Sequence, residues 1–161
     1  YRRYPICILC GGGIGISPVI GMMKDIYDVG SFKEGDMNPI RHANETIYFV
    51  WVMRYLEDFA LFAQVISECM KKASTHRKYP PLVTYLYVTK GDKEVMYPPP
   101  LMHGRPDFKA LFNKVTEQHP QKSGLVFSCG PSAMVNQLWD QCLQVNTGKQ
   151  RFDFHHEIFE F

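Results

Sequence analysis

No apolar stretch reaches the ~18 residues that a membrane span needs, and glycine, proline or charge interrupts each one early. There is no surplus of charge either. Lys plus Arg number 18 and Asp plus Glu 16, for a net +2, so no broad field argues for nucleic acid or for insertion into an anionic membrane. A local basic site for a phosphate stays open. Arg2 and Arg3 lead only the short "ICILC" before glycines, which is not a signal peptide. No nucleophile elbow appears: Ser17 and Ser128 lack a partnered His and acid by spacing, which disfavours hydrolysis. The five cysteines, Cys7, Cys10, Cys69, Cys129 and Cys142, are odd in number, and their spacing fits neither a zinc site nor a disulfide framework. Buried thiols in a reducing compartment are the simplest reading. His155 and His156 are adjacent in a strand-like run and so point to opposite faces. With no third ligand at suitable spacing, no metal site is expected. Repeats and low-complexity tracts are absent. The chain also lacks an initiator Met and meets its first strand almost at once, so we expect a piece of a longer protein, residues 1–161 forming one domain of it.

What is present is a strand-helix alternation. At 45% hydrophobic residues the chain can bury a core. "PICILC" (5–10), "TIYFVWVM" (46–53), "LVTYLYVT" (82–89), "GLVFSC" (124–129) and "RFDFHHEIF" (151–159) read as strands. Between them run helical patterns. Ser17 is placed to cap the first, with Pro18 at its first position. A second spans about 56–73, its apolar stripe formed by Phe59, Phe62, Ala63, Ile66, Cys69, Met70 and Ala73. Asp107 caps a third that carries Phe108, Leu111, Phe112 and Val115, and a fourth after "GPSA" uses Val135, Leu138, Trp139 and Cys142. "YPPPLMHGRP" (97–106) reads as an extended loop. Residues 30–45 are polar, irregular and long for a connection, and so read as an inserted surface loop. The order implies a mostly parallel sheet of about five strands, covered on both faces.

The chemistry concentrates at two turns. "ILCGGGIGISPVIGMM" (8–23) runs from strand through glycines into a helix. Such a turn offers backbone N–H groups and a helix N-terminus to an anion. It is not the common dinucleotide fingerprint of Gly, one residue, Gly, two residues, Gly. Gly11 and Gly13 fit the first two places, but Ile16 holds the third. Starting from Gly13 and Gly15 instead puts Pro18 there. "FSCGPSAM" (127–134) repeats the strand-glycine-proline-helix order. Two such turns at the carboxyl ends of strands make one binding edge. Cys129 alone reads as a buried thiol, but its place at a strand tip beside Gly130 directs it toward ligand.

Together these turns resemble the NADP-binding half of the ferredoxin–NADP reductase superfamily, and within it the NADPH oxidase and ferric reductase branch. "GGGIGISP" is similar to that family's pyrophosphate turn, and Cys129-Gly130-Pro131 to its nicotinamide turn. "YFVWVMR" resembles a strand with Trp, two residues, then Arg. "HGRPDFKALF" resembles a Gly-Arg-Pro loop before an aromatic helix, and "RFDFHHEIF" resembles the carboxyl-terminal strand. The oxidases typically end at the Phe matching Phe159, whereas this chain continues with Glu160 and Phe161, as some ferric reductases do.

The resemblance implies a three-layer Rossmann-like α/β domain of ferredoxin–NADP reductase type. It implies NADPH at Gly11, Gly12, Gly13, Gly15, Ile16, Ser17 and Pro18, with Arg54 on the 2′-phosphate and Arg105 beside the nucleotide. Gly130 and Pro131 would flank the nicotinamide. Cys129 would align it, and Phe159 or Phe161 would stack on the flavin. Read without the resemblance, Arg54 is equally a solvated strand-end residue, Arg105 a loop cation bonding carbonyls, and Trp51 a core residue. The family context further implies FAD shared with a preceding barrel domain, haem in a membrane domain, and O2 or Fe(III) as acceptor. On this view the chain is the NADPH-binding lobe of an NADPH oxidase or ferric-chelate reductase at the cytosolic face of a membrane. It would need its FAD domain for turnover. Its partners would be its own FAD-binding and transmembrane domains, with residues 30–45 open to a cytosolic regulator. The alternatives are a soluble reductase like cytochrome b5 reductase, and a dinucleotide-sensing or protein-binding domain without turnover. The aromatic carboxyl end speaks against the second.

Overall fold

The computed structural model describes residues 1–30, 43–92, 94 and 100–158. Among them six strands form one sheet: β1 Ile6–Gly12, β2 Thr46–Met53, β3 Leu82–Val88, β4 Leu101–His103, β5 Gly124–Gly130 and β6 Phe152–Ile158. Their order is β4-β3-β2-β1-β5-β6, and every pairing is parallel. Four helices cover the sheet: α1 Ile16–Ile26, α2 Ala63–Thr75, α3 Phe108–Gln118 and α4 Ser132–Asn146. The expected parallel sheet is therefore present, with one strand more than anticipated.

Alternation along each strand builds two cores, as a sheet buried on both faces requires. Cys7, Leu9, Phe49, Trp51, Leu86 and Phe127 join Val19, Met23, Ile66 and Cys69 on the α1/α2 face. Ile6, Ile8, Tyr48, Val50, Val126 and Phe152 join Phe112, Val115, Leu138 and Cys142 on the α3/α4 face. All five cysteines are buried and free.

The structure corrects several local expectations. Ser17 does not cap α1. The N-cap is Gly15, and the Ser17 hydroxyl donates instead to the Ile14 carbonyl at 3.1 Å. A single 3₁₀ turn over Gly13–Gly15 starts the helix earlier and moves Pro18 to its third position, where its missing N–H costs nothing. The helix expected over 56–73 divides into 3₁₀ turns at Leu56–Leu61 and α2 proper. The "LMH" of the proline-rich loop forms β4 at the sheet edge. Trp139 and Met70, expected on buried stripes, are exposed, and Trp139 packs on Phe154 with ring centroids 5.2 Å apart. Asp107 caps α3 as expected, accepting from the Ala110 N–H at 2.9 Å. The loop at 30–45 lies mostly outside the described residues. Among those that are described, no helix is long and apolar enough to cross a membrane.

Candidate functional site

From β1 the chain goes to β2, β3 and β4 on one side, then returns to β5 and β6 on the other. The direction of winding reverses between β1 and β5, so their carboxyl ends diverge into helices on opposite faces and leave a crevice. Both glycine turns lie there. Gly11 pairs in register with Cys129, and the turns touch. A methyl group on Gly12 would stand 2.7 Å from the Pro131 ring, and one on Gly130 would stand 3.0 Å from the Gly12 backbone. A methyl on Gly15 would run into the Cys129 carbonyl, and one on Gly11 would stand 2.6 Å from Ile16 Cα.

Three glycines of the first turn are thus demanded by packing. Gly13 differs: its φ is +55° and a methyl there meets nothing within 4 Å. It is the open point of the turn. Ile16 turns its side chain into the core and its N–H back onto the Gly13 carbonyl. Ser17 is exposed and Pro18 half-buried in the first turn of α1. Pro131 is the N-cap of α4. The N-termini of α1 and α4 therefore flank the crevice, and the partial positive charge of both favours an anion.

Arg54 follows β2 directly, one strand from the glycine turn, and is exposed. No side-chain hydrogen bond or ion pair engages it among the described residues. Arg105 follows β4, three strand spacings or roughly 14 Å from β1, and is also exposed. The loop that carries it turns at Gly104, with φ +87°. The structure thus aligns both cations along the carboxyl edge of the sheet.

Cys129 is fully buried. Burial pushes its thiol up to about 11, and the Glu157 carboxylate, which accepts from Sγ at 3.8 Å, pushes the same way. Cys129 is a protonated thiol at neutral pH, not a thiolate nucleophile. Glu157 is the β6 residue in register with Cys129. It has no signal of its own in the sequence, because only strand pairing reveals it. Trp51 reads from the sequence as a core residue. It is buried, yet its indole N–H donates to the Gly13 carbonyl at 3.2 Å. Phe159 and Phe161 lie outside the described residues. β6 ends at Ile158, in register with Gly130.

The arrangement suits a dinucleotide. The half-buried Gly13, where an added methyl meets nothing within 4 Å, leaves room for a phosphate against backbone, the helix ends supply positive potential, and Arg54 is an exposed cation, unengaged among the described residues, beside the same edge.

Comparison with known proteins agrees. The chain is 28% identical to dual oxidase 2 of Sus scrofa over 97% of its length, covering 11% of that protein. It is 26% identical to NADPH oxidase 4 of Pongo abelii over 98% of its length, covering 27%. The chain thus spans about a tenth to a quarter of these relatives. A ferredoxin NADP+ reductase from Neisseria gonorrhoeae with bound FAD and NADP shares the fold at a TM-score of 0.56 and 15% identity, over 96% of this chain and 57% of that one. Residues 4–96 and 99–143 match the family described as the ferric reductase NAD binding domain. With most of its length so matched, the chain belongs to the ferric reductase NAD-binding domain family.

Proposed function

We propose that this domain binds NADPH in the β1/β5 crevice and presents it to FAD held mainly by another part of the same polypeptide. The observation that carries this reading is the meeting of two strand-glycine-helix turns at the point where the winding reverses, with Gly13 alone left open. When bound, the nicotinamide and flavin supply the hydride exchange. This chain binds, orients and excludes water. The backbone around Gly13 and the α1 N-terminus receive the pyrophosphate. Arg54 pairs with the 2′-phosphate, and Arg105 adds a second cation beside the nucleotide. Gly130 and Pro131 shape the nicotinamide end, and the neutral Cys129 thiol fixes its position without covalent attack. Phe159 or Phe161 would supply the aromatic ring that stacks on the flavin.

The parent would be a membrane reductase that passes electrons through haem to O2 or Fe(III), with this domain on the cytosolic face. The names of its relatives, dual oxidase 2 and NADPH oxidase 4, favour O2. Its partners would be the FAD-binding and transmembrane parts of that protein. The test is anaerobic mixing of the intact protein with NADPH or NADH while flavin absorbance is followed. NADPH should bleach the flavin faster. No bleaching by either coenzyme refutes the reading. Readmitting air with a superoxide probe, against adding an Fe(III) chelate, then separates the acceptors.

A further inference from the structure

Trp51 carries a contact that packing does not require. Its ring sits between Phe59 and Phe62, with centroids 6.2 Å and 5.9 Å away, and is 1% exposed. A Phe at this position would keep aromatic neighbours. It would not keep the indole N–H, which crosses from β2 to the turn after β1 and donates to the Gly13 carbonyl. That carbonyl also accepts from the Ile16 N–H, so both of its lone pairs are engaged.

The consequence lies on the other side of the peptide. A trans peptide is planar, so drawing the Gly13 C=O toward Trp51 turns the Ile14 N–H the opposite way. A carbonyl oxygen facing the crevice would repel a phosphate, whereas an N–H attracts one. Gly13 has no Cβ to choose between the two orientations. Its carbonyl is aimed by its donors. Of these, Ile16 is local to the turn, and Trp51 ties the turn to β2, the strand that leads into Arg54.

We propose that Trp51 is a positioning residue for the coenzyme pyrophosphate: its indole N–H holds the Gly13 carbonyl out of the anion crevice. The inference rests on the nucleotide-binding reading of that crevice. It sets the affinity for ligands that carry a pyrophosphate and leaves the 2′-phosphate contact alone.

The experiment uses the full-length protein with Trp51→Phe, and reads direct binding of NADP+ and of 2′-AMP, which has no pyrophosphate, by calorimetric titration, alongside inhibition of NADPH-driven flavin reduction by each. Loss of one hydrogen bond should raise the inhibition constant for NADP+ by about five- to ten-fold. The constant for 2′-AMP should not move, and kcat should fall less than KM for NADPH rises. If Trp51→Phe does not fold, benzothienylalanine at position 51 keeps the bicyclic shape and replaces N–H by sulfur, and the same split is expected. Equal weakening of both inhibitors, or no change in either, overturns the role of Trp51 while leaving the crevice a nucleotide site. If the unmodified protein is inhibited by neither compound, the nucleotide reading falls and the inference with it.

Discussion

Arg54 illustrates how one side chain can select a coenzyme. It stands exposed just after β2, and among the described residues only its main chain is engaged, its carbonyl accepting from the Lys90 N–H at 2.8 Å. A charge-assisted contact between its guanidinium and a 2′-phosphate is worth about 1.5–3 kcal/mol. Arg54→Ala should therefore weaken NADPH about ten-fold to more than a hundred-fold and leave NADH nearly unchanged. Equal loss for both coenzymes in a titration removes the assignment. Cys129 makes the opposite case, a reactive type made inert. With its thiol pushed up to about 11 by burial and Glu157, it should resist iodoacetamide at neutral pH in the folded protein. Cys129→Ala should slow hydride transfer more than it weakens NADPH, because a misplaced nicotinamide loses alignment before it loses affinity. Alkylation at the rate of a free thiol, or an unchanged transfer rate, contradicts this.

At the scale of elements, the glycine turn divides into positions that hold the fold and one that meets ligand. Gly15→Ala drives a methyl group into the Cys129 main chain, where neither strand end can yield easily. It should cost about 1–3 kcal/mol. Gly13→Ala pays only the left-handed backbone penalty, about 1 kcal/mol, since nothing stands near it. Urea midpoints should thus fall further for Gly15→Ala, while Gly13→Ala should lose NADPH affinity out of proportion to its stability. The reverse order sinks the division. The elements themselves were largely legible in the sequence. β2 matches "TIYFVWVM" at both ends because a strand buried on both faces is an unbroken β-branched and aromatic run. What escaped depended on tertiary partners. β4 has three residues beside prolines and exists only because Leu86 pairs with Leu101. The break before α2 follows from the Tyr55–Asp58 cap, in which the Tyr55 N–H donates to the Asp58 carboxylate at 3.2 Å. Trp139 escapes burial because Phe154 on the edge strand gives it a surface partner. The Trp51 contact with Gly13 needs the β1/β2 register that sets Trp51 opposite Gly11. Both glycine turns were visible, but nothing short of strand order could show that they touch.

At the scale of the whole molecule, five buried thiols make the fold sensitive to alkali. Burial pushes Cys7, Cys69 and Cys142 up to about 12 and Cys129 to about 11, and raises Cys10 as well. The buried Tyr27 phenol is raised in the same direction. An unfolded thiol ionises near ~8.5. Below that pH both states hold their protons, and the preference of the fold for the neutral thiol is fully present. Above it the unfolded chain sheds protons that the folded one retains, so stability falls as pH rises, until the folded thiols also ionise near 11 to 12. Each thiol removes up to about 1.4 kcal/mol per pH unit in that window. The contribution is small for one group and large for five, because marginal stability leaves little reserve. Urea unfolding of the 161-residue chain should give a midpoint that is flat between about pH 6 and 8 and drops steeply above about pH 9. Cys142→Ala should lower the midpoint at neutral pH through its cavity yet make the alkaline slope shallower by about one proton. A midpoint that holds steady to about pH 10.5 would mean that the thiols reach water in the folded state, and that the two cores are looser than the packing of β1 and β5 indicates.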